Sequence, residues 1–261
     1  MHPVIVVEGD YIPEVWEKSI MELWNKGAYI QTEYGSNSKD CTMLMVVRKP
    51  LDEPRIHKAG LMVGNLSQLE EYVKEVCEGI HDSYVKNGVW PYTYHERLRS
   101  YSCFSEIVDQ INYVIEKLSK TPYSRRAQAI TWKPWVDPKI EDPPCLQRVW
   151  FRVYNNRLVM ETCWRSRDAL KAAFMNIYAL TDLQKRVAGE LADRMGMKIA
   201  PGEYIDFSNS YHIYETDFEK AEGFVKRSRE GDWLKRSWNT EEFRKLVIRE
   251  KEIQKKDSNL F

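Results

Sequence analysis

Apolar positions recur along this chain with two different periods, and the changeover marks its organisation. From Pro13 to Lys26, Val15, Ile20 and Leu23 return at helical spacing, a proline sits near the start and Gly27 follows as a stop. Ser67 to Glu78 is a second predicted helix, with Leu69, Tyr72, Val73 and Val76 on one face and Gly79 at its end. Phe104 to Lys117 repeats the pattern through Ile107, Ile111, Val114 and Ile115. Between the first two helices, Thr42 to Val47 is a run of apolar and β-branched residues, the mark of a buried strand.

After Pro122 the period shortens. Ala127 to Trp132 reads as a strand, and Val149 to Val153 and Leu158 to Cys163 flank Tyr154-Asn155-Asn156-Arg157. Two adjacent asparagines tolerate positive φ, so this stretch predicts a hairpin. A long Ala- and Leu-rich helix is predicted from about Asp168 to Met195, ending near Gly196. Glu203 to Tyr214 alternates as a strand, Asp217 to Arg229 is helical, and the charged segment from Lys245 is a surface helix or a frayed end. Helices and strands without regular βαβ alternation favour an α+β fold. With no internal repeat and no Gly/Ser linker, residues 1–261 read as a single domain.

Composition narrows the function only by exclusion. Thirty-nine basic residues balance thirty-nine acidic ones, which argues against a nucleic-acid polymer as partner; anion recognition must be local. No apolar run reaches the roughly 18 residues of a membrane span. Met1 to Asp10 lacks the basic and apolar stretches of a secretory signal, so a cytoplasmic location is expected. Cys41, Cys77, Cys103, Cys145 and Cys163 are odd in number and none are spaced as CxxC, against both a disulfide framework and a structural zinc site.

Four segments set polar residues beside apolar ones: Ser124-Arg125-Arg126, Pro143-Pro144-Cys145, Arg165-Ser166-Arg167-Asp168 running on to Asn176, and Tyr211-His212-Ile213-Tyr214. Each alone is a weak signal, but their order and spacing resemble the thymidylate synthase family. Its catalytic half reads Pro-Cys-His, Arg-Ser-x-Asp, Phe-Asn-Ile and His-x-Tyr, and the Cys-to-Arg-Ser and Asp-to-Asn intervals match without a gap. Tyr123-Ser124-Arg125-Arg126 resembles the family's Ser-Arg-Arg, and Tyr94-His95-Glu96-Arg97 its Tyr-Gly segment. The resemblance is firm from Thr121 to Tyr214 and weak before Tyr92, with a catalytic half at about 120–216 and a divergent part up to about residue 90. Asp-Pro-Pro-Cys-Leu-Gln and Lys-Ala-Ala-Phe-Met-Asn look closest to the divergent archaeal branch.

The resemblance implies an α+β fold with a large mixed sheet flanked by helices, and a homodimer packed sheet face on sheet face. It implies that the Cys145 thiolate adds to carbon 6 of a uracil nucleotide, a soft and poor electrophile suited to sulfur. Carbon 5 then attacks a one-carbon unit from 5,10-methylenetetrahydrofolate, or from methylene-tetrahydromethanopterin on the archaeal reading; no metal or flavin is implied. Arg165 would favour the thiolate and, with Arg125, Arg126 and Ser166, hold the 5′-phosphate, the paired arginines reaching across from the partner subunit. Asn176 would pair with N3–H and O4, favouring dUMP over a cytosine nucleotide. His212 and Tyr214 would bond the sugar 3′-hydroxyl, Asp168 the pterin ring, and Tyr94 would assist proton removal from carbon 5. A carboxylate near O4 is expected on the helix before Gly79, from Glu71 or Glu75.

The chain departs from the family pattern at Leu146, where a histidine is usual, and at Trp164, where a glutamine is usual. The arginine-led phosphate loop is missing, leaving Ser36-Asn37-Ser38-Lys39 as a substitute. Asn259-Leu260-Phe261 does not resemble the family's closing tail, and Trp90 is the candidate for the tryptophan that keeps water out. With water excluded the product is dTMP; with water admitted the same intermediate gives a 5-hydroxymethyl nucleotide. Asn176 favours methylation, with hydroxymethylation of dUMP, dCMP or CMP second and an inactive nucleotide- or RNA-binding homologue third.

Overall fold

The computed structural model describes residues 1–61 and 67–258. Its centre is an eight-stranded sheet in the order β1-β3-β11-β9-β8-β7, with β2 paired to β3 and β10 paired to β11. In chain order the elements are β1 (Val4–Gly9), α1 (Ile12–Lys26), β2 (Ala28–Gln31), β3 (Asn37–Val47), β4 (Ile56–His57), α2 (Ser67–Glu78), α3 (Asp82–Lys86) and α4 (Tyr94–Arg99). Then come β5 (Tyr101–Cys103), β6 (Glu106–Val108), α5 (Gln110–Lys120), β7 (Gln128–Ile130), β8 (Leu146–Tyr154) and β9 (Arg157–Trp164). β10 (Arg167–Asp168), α6 (Ala173–Met195), β11 (Ala200–Tyr214), α7 (Phe218–Arg229), β12 (Ser237–Trp238) and α8 (Thr240–Ser258) complete the chain.

The sheet is mixed because two of its connections are helices. β1 and β3 run parallel, as do β9 and β11, whereas β11–β3, β8–β9 and β7–β8 are antiparallel. Parallel neighbours need a crossover, which α1 supplies for the first pair and α6 for the second. These helices pack on one face of the sheet, where Trp16, Ile20, Phe174, Ile177 and Leu180 are buried. On the opposite face Val4 and Val6 of β1 stay exposed, and Leu44, Val46, Val159 and Phe207 are half-buried.

Two local features place the chemistry. Asn155 and Asn156 adopt φ of 49° and 56°, the left-handed pair that a two-residue hairpin turn requires. The turn sets the register of β8 against β9 from Tyr154 down to Arg148, and a bulge at Gln147 then shifts it by one residue, so Leu146 faces Trp164 and the residues just beyond each strand, Cys145 and Arg165, meet. In β11 the register against β3 slips between Ser208 and Tyr211, a bulge of one extra residue. Tyr211 and Ile213 thereby continue the buried face of Tyr204, Asp206 and Ser208, and His212 and Tyr214 turn to the other side.

The structure differs from the sequence pattern at three points. Phe104 to Lys117 is not one helix: β5 and β6 form a hairpin around Phe104 at φ 54°, and α5 starts at Gln110 behind Asp109, whose carboxylate accepts from the Asn112 N–H at 2.8 Å. The long helix begins at Ala173 rather than Asp168, because the Asp168 carboxylate takes the N–H groups of Leu170 and Lys171 at 3.0 and 2.8 Å and holds a turn there. β1, rich in β-branched residues, is a further strand that periodicity did not single out. Asn259-Leu260-Phe261 lies outside the described residues.

Candidate active site

A cavity of about 400 Å³ opens where the ends of β8, β9, β10 and β11 meet the first turn of α6 and the faces of α2 and α4. Its walls bring together Cys145, Tyr94, Arg165, Ser166, Asp168, Asn176, His212 and Tyr214, eight residues that the sequence motifs singled out. Tyr34, Tyr72, Tyr92, Trp164, Arg167 and Lys171 line it as well. A wider groove of about 1000 Å³, between α2, α6 and α8, holds no cysteine and mixes acidic with basic side chains.

Cys145 is half-buried and reaches this cavity. Its loop is tied down by Arg165: the Arg165 backbone N–H donates to the Cys145 carbonyl at 2.9 Å, and the guanidinium donates to the carbonyls of Pro144 at 3.0 Å and Pro143 at 2.5 Å. Burial pushes the Cys145 thiol above its ordinary pKa; the charges of Arg165 and Arg167 pull the other way, and Asp142 adds to the rise. Burial wins. Cys41 and Cys77 are driven up to about 12, the mark of inert core thiols.

Tyr94, at the start of α4, accepts from the Leu146 N–H at 3.3 Å, which sets its hydroxyl beside the nucleophile. Burial raises its pKa well above the phenol range, so it is a neutral hydroxyl that can relay a proton but not a standing base. Tyr92 is raised for the same reason. Asn176, on the first turn of α6, donates from Nδ2 to the Tyr72 hydroxyl at 2.6 Å and keeps its carbonyl for a ligand.

His212 and Asp168 are neighbours through the parallel pairing of β10 with β11. Burial depresses the imidazole and raises the carboxyl, and each offsets part of the other's shift. Ser210 lies 3.3 Å from His212 Nδ1, and the imidazole packs edge-on against Tyr214 at 4.7 Å. One oxygen of Asp168 is occupied by the two backbone N–H groups and the carboxylate still faces the cavity, so it can accept from a polar ring.

Trp164 has a physical reason for standing where glutamine is usual. Its indole donates to the Asp206 carboxylate at 3.2 Å, and the Arg167 guanidinium lies 4.0 Å over the ring. Arg167 also pairs with Asp206, which accepts further bonds from Tyr204 at 2.7 Å and Thr162 at 3.0 Å. This buried network lies behind Trp164 and Arg167, the two of its members that line the cavity.

Other sequence-predicted residues lie elsewhere. Glu71 and Glu75 are absent from the cavity wall; both turn to His81, Glu75 at 2.8 Å and Glu71 at 3.5 Å. Trp90 packs edge-on against His81 and Tyr84, away from the cavity. Lys39 donates to the Trp24 carbonyl and sits over the rings of Trp24 and Tyr29, so it does not replace a phosphate loop. Arg125 and Arg126 are exposed just before β7, at the edge of the sheet. Their carbonyls are held by Trp150 Nε1 at 3.1 Å and the Tyr113 hydroxyl at 3.3 Å.

Tyr72 and Arg167 are cavity residues that sequence reasoning missed as functional. Tyr72 stood among the apolar positions of its helix, where a tyrosine reads as packing. Among the described residues no group of three or more His, Cys, Asp or Glu side chains is placed to hold a metal ion, and no helix is long and apolar enough to cross a membrane.

Residues 21–255 match the family model described as thymidylate synthase. Similar chains include a "putative thymidylate synthase" of Methanosarcina acetivorans, 36% identical over 222 residues that span 85% of this chain and 94% of that one. Chains of the same description from Methanocaldococcus jannaschii and Methanopyrus kandleri are 29% and 28% identical over 224 and 215 residues. They cover 83% and 82% of this chain and 94% of each relative.

Proposed function

The chain belongs to the thymidylate synthase family, and from that premise we propose that it transfers a one-carbon unit from a methylene-reduced pterin to carbon 5 of dUMP, giving dTMP. The observation that carries the reading is the meeting of Cys145, Arg165 and Asn176 in one cavity. The thiolate adds to carbon 6, and the guanidinium both fixes its loop and opposes the burial that holds the proton on sulfur. Nucleotide phosphate is bound by Ser166 and Arg165, which border an adjoining cavity of about 220 Å³. The Asn176 carbonyl accepts from N3–H, and His212 and Tyr214 bond the 3′-hydroxyl.

The pterin supplies the one-carbon unit and the hydride. The residues present suit it: Asp168 offers a carboxylate to the ring's N–H groups, and Tyr34 and Met175 line the same cavity with aromatic and apolar surface. The relatives come from methanogens, which favours a methanopterin over a folate tail. A free nucleophilic thiol suits the reducing cytoplasm.

Arg125 and Arg126 complete the phosphate site of a second copy. The arginines precede β7, the edge strand at the other end of the sheet from β1; on the face away from α1 and α6, Val4 and Val6 are exposed and Leu44 and Phe207 half-buried, and packing two such faces would bury them and bring the arginines to the second copy.

Incubation with 5-fluoro-dUMP and either methylene-pterin, followed by mass spectrometry, tests the proposal. A covalent adduct on Cys145 is expected. Its absence with both donors would refute the reading, and turnover of dCMP or CMP alone would overturn the role of Asn176.

A further inference from the structure

Both carboxylates expected beside the pyrimidine's O4 turn away from the cavity, and a different residue of α2 enters it. Successive helical residues are rotated by about 100°, so a helix that sends Glu71 and Glu75 to His81 presents Tyr72 on a different side. The Tyr72 hydroxyl accepts from Asn176 Nδ2 at 2.6 Å. If the Asn176 carbonyl takes N3–H, O4 lies next to that same Nδ2, and the phenol and O4 become neighbours. A phenol that accepts from the amide still has its own proton to give.

Resting on the reading of this cavity as a uracil nucleotide site, the geometry points to Tyr72 as the group that donates a hydrogen bond to O4 and stabilises the charge formed there when Cys145 adds. In that step the sulfur lone pair forms the bond to carbon 6. The π pair of the C5–C6 bond moves into conjugation with C4–O4, and the negative charge of the resulting enolate gathers on O4. No proton changes hands at Tyr72. Its O–H bond stays intact, and the hydrogen bond strengthens as the oxygen becomes an anion. Burial raises the Tyr72 hydroxyl well above the phenol range, which keeps the proton in place at neutral pH. The chain thus has a neutral donor at O4 where a carboxylate was expected.

The test is a cycle between the residue and the substrate atom. Tyr72→Phe removes one oxygen and keeps the ring. Its kcat with dUMP should fall by about 10²- to 10³-fold, the usual loss for one oxyanion donor, while KM changes much less. 4-Thio-dUMP, whose sulfur is a poor acceptor, should be a far worse substrate than dUMP for the unaltered protein, and Tyr72→Phe should lose most of that discrimination. Near-UV circular dichroism checks the fold of the variant. Should Tyr72→Phe not fold, Tyr72→His, which restores a donor, carries the same comparison, with discrimination retained in part.

Equal discrimination against 4-thio-dUMP by Tyr72→Phe and the unaltered protein, or a kcat within about threefold, overturns the assignment. If the unaltered protein forms no Cys145 adduct with 5-fluoro-dUMP, the nucleotide reading and the role of Tyr72 fall together. If it forms the adduct while Tyr72→Phe is indifferent, only Tyr72 is refuted.

Discussion

Asp137→Ala removes one half of a fully buried ion pair. Asp137 has no exposed surface and the Arg97 side chain is 2% exposed. The carboxylate accepts from Arg97 at 2.7 and 3.0 Å, and also from the Lys133 backbone N–H at 2.6 Å. After the substitution the guanidinium keeps its bond to the Thr131 carbonyl at 2.8 Å and its Nε contact with Glu96 at 3.2 Å, but loses the buried carboxylate that both of its terminal nitrogens donate to. Breaking such a pair from one side costs about 3–5 kcal/mol. For a chain of this size that is about 6–20 °C in Tm. The pair Arg186–Glu78, with side chains 44% and 42% exposed, calibrates the other extreme. Arg186→Met should cost no more than about 1 kcal/mol, because water already screens it. Thermal melts and urea titrations of both variants measure the contrast. Replacing Arg97 and Asp137 together by Met and Leu should recover most of the loss, since no charge is then stranded. A cost below about 1 kcal/mol for Asp137→Ala, or a double variant as weak as the single one, refutes the reasoning. Arg97 follows Tyr94 by three residues on the six-residue α4, so activity should fall along with stability.

Four further outcomes follow from the site. Cys145→Ser should form no adduct with 5-fluoro-dUMP and lose at least about 10⁴-fold in kcat, as nucleophile removal commonly does. Alkylation of Cys145 by iodoacetamide reads the pH dependence: because burial raises the thiol, the rate should still be climbing above the ordinary thiol range, and Arg165→Leu should move the rise to still higher pH. A downward move would show that the guanidinium does not act on the sulfur. Asn176→Asp should shift the kcat/KM ratio of dUMP to dCMP by about 10- to 200-fold toward cytosine, the worth of one misplaced donor or acceptor at about 1–3 kcal/mol. Mixing Cys145→Ser with the double variant Arg125→Ala/Arg126→Ala should restore up to about a quarter of full activity if each site draws arginines from the partner; no recovery in a mixture shown to exchange subunits would refute the shared site.

How much of this was legible depended on whether a residue's role was local or tertiary. α1, α2 and the β8–β9 hairpin follow from periods and stops that act within a few residues, and Gly196 ends α6 at φ 62° as expected. The motif residues of the cavity were legible because their intervals are fixed in sequence. Asp168 was misplaced into a helix because an aspartate that caps its own following turn looks the same in sequence as one in a first helical turn. Tyr72 was hidden for a related reason. Helical periodicity assigns a face but not what that face meets: of the apolar-looking stripe of α2, Leu69 and Val76 pack in the core while Tyr72 reaches the cavity. The bulge in β11 was equally silent, since Asn209 and Ser210 break no alternation strongly enough to reveal an added residue.

The Asn155-Asn156 turn sits at the far end of two strands from the nucleophile, about 30 Å away at strand rise. It touches no ligand, yet it decides which residue of one strand lies opposite which of the other. Forcing β-branched side chains into those two positions would invite a slip of one place, and Cys145 would then meet Ser166 or Trp164 where Arg165 now grips its loop. A surface bend remote from any substrate, together with the bulge at Gln147, thus acts as the gauge that spaces sulfur from guanidinium.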